Sequence, residues 1–228
     1  MPHQLPRNPA AKVKPLKWTP KERTVWNTEE ARHFLAAAES DTDWALWVLA
    51  LATGLRRGEL LGLRWQDLDL DAGRLTVKPS LVMLKGKAVI QAPKSKAALR
   101  SVRLTPDAVA AMRAHKVRQS ERELAATHWQ KSGLVFTTGI GTALSPRNVG
   151  RSFEESIARA GVPKMRLHDL RHVNASLDLS SGTSVKSVAA RLGHSDPSVT
   201  LRTYAHVLPH EETAAVERLE ALLSVDAG

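Results

Sequence analysis

The stretch Leu192-Gly193-His194-Ser195-Asp196-Pro197-Ser198-Val199-Thr200-Leu201-Arg202-Thr203-Tyr204-Ala205-His206 carries the only tyrosine of a chain that has no cysteine. Any hydroxyl or thiol nucleophile other than serine or threonine is therefore Tyr204. A phenol titrates near pH ~10 and is almost wholly protonated at neutrality. It becomes a nucleophile only beside a base and strong positive charge. The local pattern is helical: Ser184 caps Val185 to Leu192, Gly193 stops that helix, and a second one follows from Pro197.

Working outward, Arg166-Leu167-His168-Asp169-Leu170-Arg171-His172 leads into Val173 and Leu177. Leu170, Val173 and Leu177 mark a core stripe at i, i+3, i+7, while His168, Arg171 and His172 share another face. Farther upstream, Thr53-Gly54-Leu55-Arg56-Arg57-Gly58-Glu59-Leu60 puts Arg56 at the mouth of a helix after a glycine turn. Glu59 lies one turn on, at i,i+3 spacing from Arg56.

Between these blocks the periodicity changes. Arg74–Val77, Leu81–Leu84, Ala88–Ile90 and Ser101–Leu104 are short, β-branched runs punctuated by Gly73, Lys85-Gly86-Lys87 and Pro93. They predict a small antiparallel sheet with a basic turn, Pro93-Lys94-Ser95-Lys96, near its end. Around it, helices are expected from a Thr28 cap, from Asp43 to Gly54, from Pro106 to about Ala126, and from Ser145-Pro146 to a Gly161 stop. A brief strand is expected at Leu134–Phe136. The class is mainly α with a small antiparallel sheet, α+β.

Thirty-three Lys and Arg against 23 Asp and Glu give a formal charge of +10, which favours a polyanionic partner such as nucleic acid. Without cysteine, disulfides, thiolate metal sites and a thiol nucleophile are excluded, and a reducing cytoplasmic setting is expected. No run approaches the ~18 apolar residues of a membrane span, so no membrane partner is expected. Residues 1–27 hold five prolines among lysines and arginines and read as a basic linker, suggesting a domain upstream. Residues 28–210 form the main domain, and 211–228 an amphipathic C-terminal helix and tail.

Three kinds of chemistry fit these residues. His168 and His172 at i,i+4, with His194 or His206, suggest zinc. Arg171 lies between the first two on the same face and would repel a dication, so no metal is expected. Residues 187–204 also have the helix–glycine turn–helix form of a DNA-binding module, but that leaves Arg56, Lys94 and the His168–Arg171 pair without a task. Phosphoryl transfer to a phenol uses all of them. It needs cations on the non-bridging oxygens, a base for the phenol and an acid for the leaving alkoxide. Arg56 and Arg171 supply the clamp, His168 or His194 the base, and Lys94 the acid.

In this order the motifs T-G-L-R-R-G-E-L at 53–60, P-K-S-K at 93–96, L-H-D-L-R-H at 167–172 and L-G-H-S-D-P-S-V-T-L-R-T-Y-A-H at 192–206 resemble the tyrosine recombinases, the phage integrase family. The resemblance implies a catalytic domain that cleaves and rejoins DNA through a 3′-phosphotyrosyl bond, without metal or other cofactor. Arg56 and Arg171 would hold the scissile phosphate, and His168 would be an acid/base group. His194 would hydrogen-bond the phosphate, Lys94 (or Lys96) would protonate the 5′-oxygen, and Tyr204 would attack. Glu59 would support its neighbours, and Arg57, Lys96, Arg100 and Arg202 would contact DNA. Val173-Asn174 departs from the family's usual threonine and aromatic. The resemblance further implies four protomers on two duplexes, with DNA-bending or directionality factors, and an N-terminal core-binding domain for which there is no room before Thr28. A type IB topoisomerase-like or resolvase activity is the nearest enzymatic alternative.

Overall fold

The computed structural model describes residues 25–78, 80–84, 87–91, 99–194 and 196–204. Residues 1–24 of the linker expected at 1–27, Lys94, Lys96 and the expected 211–223 helix lie outside them; the end of that linker belongs to the fold instead, with Trp26 buried in the main core and Asn27 at the start of the first helix.

Helix α1 (Thr28–Ala37) is capped by Asn27, not Thr28. The Asn27 side chain accepts from the Glu30 N–H at 2.8 Å and Glu30 returns a bond to the Asn27 N–H at 2.9 Å, a reciprocal pair one residue earlier than expected. Helix α2 (Trp44–Thr53) is apolar almost all round and is buried accordingly, from Ala45 to Ala50. It ends at Gly54, which adopts φ +62°, and the short helix α3 (Arg57–Leu61) follows. The Trp65–Asp67 turn is a 3₁₀ segment that leads into β1 (Leu68–Asp69).

The expected single sheet is two separate pieces. Strands β1, β2 (Arg74–Val77) and β5 (Arg100–Arg103) form a three-stranded antiparallel sheet in the order β1-β2-β5, whereas β3 (Ser80–Leu84) and β4 (Lys87–Gln91) pair only with each other. The register Leu75↔Val102 puts two inward side chains opposite each other, both buried. Helix α4 (Pro106–Ala125) packs along α2. Leu134 makes only an isolated bridge to Arg64, so the expected strand at 134–136 is a connecting segment, although all three of its residues are buried.

Helix α5 (Pro146–Ala160) stops at Gly161, φ +66°. After the 3₁₀ turn Leu167–Asp169 come α6 (Leu170–Ser180), α7 (Val185–Leu192) and α8 (Pro197–Tyr204). The main core is centred on an aromatic cluster: the Trp26 and Phe34 rings are 4.8 Å apart, Phe34 and Phe153 5.5 Å, Trp47 and Phe153 5.1 Å. A second, smaller core joins Ala175 and Leu179 of α6, Val188 and Leu192 of α7, and the Tyr204 ring. It is this second core that fixes α8, and with it the tyrosine, to the body of the domain.

Candidate functional site

The site is built where two helices end. Helices α2 and α7 both terminate in left-handed glycines, Gly54 and Gly193 (φ +71°), which leaves their last carbonyls without intrahelical donors. Arginines take up those carbonyls. Arg171 donates from Nη1 to the Gly54 oxygen and from Nη2 to the Leu192 oxygen, both at 2.7 Å. Arg100 donates from Nε to the Arg191 oxygen at 2.6 Å, and Arg56 from Nη2 to the Gly193 oxygen at 3.5 Å. The negative ends of both helix dipoles thus face the guanidinium groups.

Glu59 balances part of this charge. It is buried and accepts from Arg56 Nη1 at 3.1 Å, the Arg56 backbone N–H at 2.8 Å, and Arg100 Nη1 and Nη2 at 3.1 and 2.8 Å. Burial alone pushes the Glu59 carboxyl up. The hydrogen bond and charge of Arg100, joined by those of Arg56, outweigh it and hold the carboxyl below its ordinary value. The supporting part expected of Glu59 therefore has a concrete form: it orients Arg56. The DNA contact expected of Arg100 does not fit its placement. With only 7% of its side chain exposed, Arg100 is enclosed by Glu59 and the end of α7, and acts as a brace beneath Arg56.

Arg171 is only 5% exposed. Desolvation, followed by the like charges of Arg56 and Arg100 and opposed by Glu59 and Tyr204, pulls it down to about 10, where it remains charged at neutrality. Arg171 Nη2 also lies 2.9 Å from His194 Nε2. His194 in turn has Nδ1 2.7 Å from Thr200 Oγ1. Its pKa is lowered to about 4 by desolvation and by Arg171, Arg56, Arg100 and His172, so the ring is neutral near pH 7. His168 is an exposed residue. Desolvation of its ring and the charges of Arg171, Arg56 and Arg166 still pull its pKa down, against the pull of Asp169.

Tyr204 faces inward. It is 3% exposed, and its hydroxyl lies 2.6 Å from Nδ1 of His172, with the two ring centroids 5.6 Å apart. Sequence reasoning had put His168 or His194 at the phenol. The structure puts His172 there, the residue directly after Arg171, whose helical face was noted but given no task. His168 lies in the 3₁₀ turn before α6 and His172 in the first turn of α6, and their rings stand edge-on at 6.1 Å. Arg57 and Arg202 are exposed at the starts and ends of α3 and α8 respectively, whereas Val173 and Asn174 are buried. Asn174 ties α6 to its neighbours, donating to the Leu51 oxygen at 2.6 Å and accepting from Arg191 at 2.9 Å. Among the described residues no group of three His, Asp or Glu is arranged to hold a metal ion, and no helix is long and apolar enough to cross a membrane.

Arg56, His168, Arg171, His194 and Tyr204, drawn from three separate stretches of chain, thus gather around the ends of α2 and α7. Comparison with known proteins gives the family and the fold. The model of the phage integrase family matches residues 25–211. The chain belongs to the phage integrase family of tyrosine recombinases. A XerC-like tyrosine recombinase of Caldanaerobacter subterraneus subsp. tengcongensis is 33% identical over 222 residues, covering 90% of this chain and 57% of the relative. The ICEBs1 integrase of Bacillus subtilis is 29% identical over 224 residues, covering 96% and 60%. This integrase-family chain therefore spans under two thirds of the length of either relative.

Among solved structures, the fold is shared with the Tn1549 transposon integrase in complex with transposon right end DNA (TM-score 0.75, 19% identity, 92% of this chain and 69% of that one). The XerH recombinase bound to its difH substrate superposes with a TM-score of 0.64 at 27% identity, over 86% and 54%. The catalytic domain of bacteriophage HP1 integrase is covered almost end to end, with 90% of this chain matching 99% of it at a TM-score of 0.56. The mainly helical fold with a small antiparallel sheet expected from the sequence is thus the tyrosine recombinase catalytic-domain fold.

Proposed function

We propose that this chain is the catalytic part of a site-specific DNA recombinase that cuts and rejoins double-stranded DNA through a 3′-phosphotyrosyl bond. The observation that carries the reading is Tyr204 hydrogen-bonded to His172 beside the Arg56–Arg171–His194 cluster. In this reading the scissile phosphate lies on Arg56 and Arg171, whose remaining N–H groups meet its non-bridging oxygens. The Tyr204 proton passes to Nδ1 of His172 as the phenol oxygen attacks phosphorus. The bond to the 5′-oxygen breaks, and that oxygen takes a proton from Lys94 or Lys96. His168, exposed and neutral near pH 7, serves as a further acid/base group. Attack by a 5′-hydroxyl from another strand reverses these transfers and frees Tyr204. No nucleotide is needed, because the phosphodiester is exchanged for an ester of similar energy.

Each chain has a single tyrosine, so cutting four strands of two duplexes calls for four protomers, a homotetramer on DNA. Bending or directionality factors would act on that assembly. Exposed Arg57 and Arg202 suit backbone contacts, and a cysteine-free, basic chain suits the cytoplasm.

The test is a nicked suicide duplex carrying the element's own junction sequence. A covalent protein–DNA adduct is expected, mapped by mass spectrometry to Tyr204, lost in Tyr204→Phe and insensitive to chelator. An adduct that persists in Tyr204→Phe would refute the mechanism. Binding to the site with no adduct from the wild type would favour a non-catalytic helix-turn-helix module. Relaxation of supercoils without recombinant junctions would favour a topoisomerase-like strand transferase.

A further inference from the structure

Thr200 is polar, fully buried (0% exposed), and has no part in the reaction as described above. It lies one turn before Tyr204 on α8, and these two are the buried residues of that helix. Its hydroxyl is 2.7 Å from His194 Nδ1.

The other nitrogen of His194 fixes the direction of that bond. Arg171 Nη2, 2.9 Å from Nε2, is a donor with no lone pair to offer. Nε2 must therefore be the acceptor, and in a neutral imidazole the single proton then sits on Nδ1. Thr200 Oγ1 accepts it. In this state His194 has no N–H directed toward the arginine cluster. To donate a hydrogen bond to a phosphate oxygen from Nε2, the ring must carry its proton there, and Nδ1 then needs a donor. A threonine hydroxyl is able to accept in the first state and donate in the second, by rotation about one bond. A valine of the same shape does neither.

We propose that Thr200 is a positioning residue for strand cleavage: its hydroxyl holds His194 through Nδ1 in the free protein and, by turning from acceptor to donor, lets His194 present Nε2–H to the scissile phosphate. One proton leaves Nδ1 to water and one reaches Nε2 from water, so the ring stays neutral and charge is conserved. The second state is stabilised when phosphate oxygens draw the Arg171 N–H groups to themselves and leave Nε2 facing an acceptor. Because Thr200 is on the helix that carries Tyr204, the same hydrogen bond ties the orientation of the phosphate-facing histidine to the seating of the nucleophile. The low pKa of His194 accords with a route that avoids an imidazolium among three arginines. This inference rests on the recombinase reading for its cleavage arm only.

The experiment has two arms. In the first, ¹⁵N-edited imidazole spectra of the uniformly labelled chain at pH 7, with His194→Gln used for assignment, report the tautomer. The free protein is expected to show His194 protonated at Nδ1 and bare at Nε2. Thr200→Val is expected to lose that preference and Thr200→Ser to keep it. A His194 that is already Nε2–H or doubly protonated in the free protein, or one unchanged by Thr200→Val, would overturn the proposal, whether or not the chain cuts DNA.

In the second arm, single-turnover covalent-complex formation on the suicide duplex is measured. Thr200→Val is expected to slow it on the order of tenfold, the size of one lost buried hydrogen bond, with Thr200→Ser within about threefold of wild type. The decisive comparison is a double-mutant cycle with His194→Ala. If Thr200 acts through His194, Thr200→Val costs nothing further in that background. Additive losses would mean that Thr200 only packs α8, and would refute the positioning role. Absence of any adduct in the wild type, with the expected tautomer in the first arm, would defeat the recombinase reading while leaving the Thr200–His194 couple in place.

Discussion

Replacing Glu59 by glutamine removes one negative charge and almost no volume from the base of the cationic cluster. Breaking a buried pair by neutralising one partner costs about 3–5 kcal/mol when both groups are enclosed. Two features reduce that figure here. Glutamine keeps a carbonyl oxygen for one of the arginine N–H groups, and the Arg56 side chain, 42% exposed, is partly solvated by water already. Arg100, 7% exposed, has little water to turn to and keeps its bond to the Arg191 carbonyl. The expected loss is therefore about 2–3 kcal/mol. With a urea slope of about 2 kcal/mol/M, the unfolding midpoint at pH 7 falls by roughly 1–1.5 M. The pH dependence has a definite sign. Because the folded pKa of Glu59 lies below its ordinary value of 4.5, its contribution is complete above that value and disappears as pH falls through the folded value. The gap between wild type and Glu59→Gln should thus narrow as pH falls below the ordinary carboxyl value of 4.5 and close once Glu59 is protonated in the folded chain. Equal midpoints at pH 7, or a gap that is the same at pH 7 and in acid, would refute the account of Glu59 as the counter-charge of the cluster.

Gly54→Ala should be among the most disruptive small substitutions in the domain. A Cβ there sits at φ +62°, 2.6 Å from Asn174 Oδ1 and 2.7 Å from Leu192 Cδ2, and the backbone strain alone costs about 1–3 kcal/mol, so a thermal midpoint lowered by roughly 5–10 °C is expected by calorimetry. Arg171→Lys keeps the charge, but a single ammonium cannot span the Gly54 and Leu192 carbonyls as the planar fork does. Single-turnover cleavage should drop at least about 100-fold, with site binding measured by mobility shift changed far less. His172→Gln should slow adduct formation by about 100-fold near neutrality, and the deficit should narrow as pH rises and the phenol ionises without a base; a pH-independent deficit would mean that His172 merely positions the ring.

Much of this was legible in the sequence, for identifiable reasons. Gly54, Gly161 and Gly193 each ended the helix they were expected to end, because the left-handed turn that closes a helix selects for the residue without a Cβ. The arginines and Tyr204 were singled out by their chemistry together with the family resemblance of the motifs that carry them. What could not be read was contact at a distance. His172 follows Arg171 directly, and nothing local distinguishes it from a surface histidine. Its task depends on α8 folding back so that a residue 32 positions later reaches it. Arg100 was expected to contact DNA, and its burial follows from the pairing of β5 with β2 and the approach of α7. Likewise, four β-branched runs do not reveal that one hairpin stands apart from the sheet.

The way the site is held together also explains how so much positive charge is tolerated before any DNA arrives. Glu59 pairs with both Arg56 and Arg100 and acts on Arg171 through its charge alone, so one carboxylate faces three guanidinium groups there. Four carbonyl oxygens do the rest: Gly54 at the end of α2, and Arg191, Leu192 and Gly193 at the end of α7. These are the acceptors that a helix leaves unused at its C-terminus, and they lie at the negative end of its dipole. They stabilise the guanidinium groups without cancelling their net charge, so the field that would attract a phosphate is preserved. The Arg171 hydrogen bonds to Gly54, Leu192 and His194 engage three of its five N–H groups. Phosphate binding in the proposed reaction has to draw on the others or displace His194. The carbonyl bonds, buried and short, are the ones that should persist, and the histidine bond is the one that should exchange. The site is therefore rigid toward the helix ends and adjustable only at the edge occupied by His194, Thr200 and α8, where the nucleophile is carried.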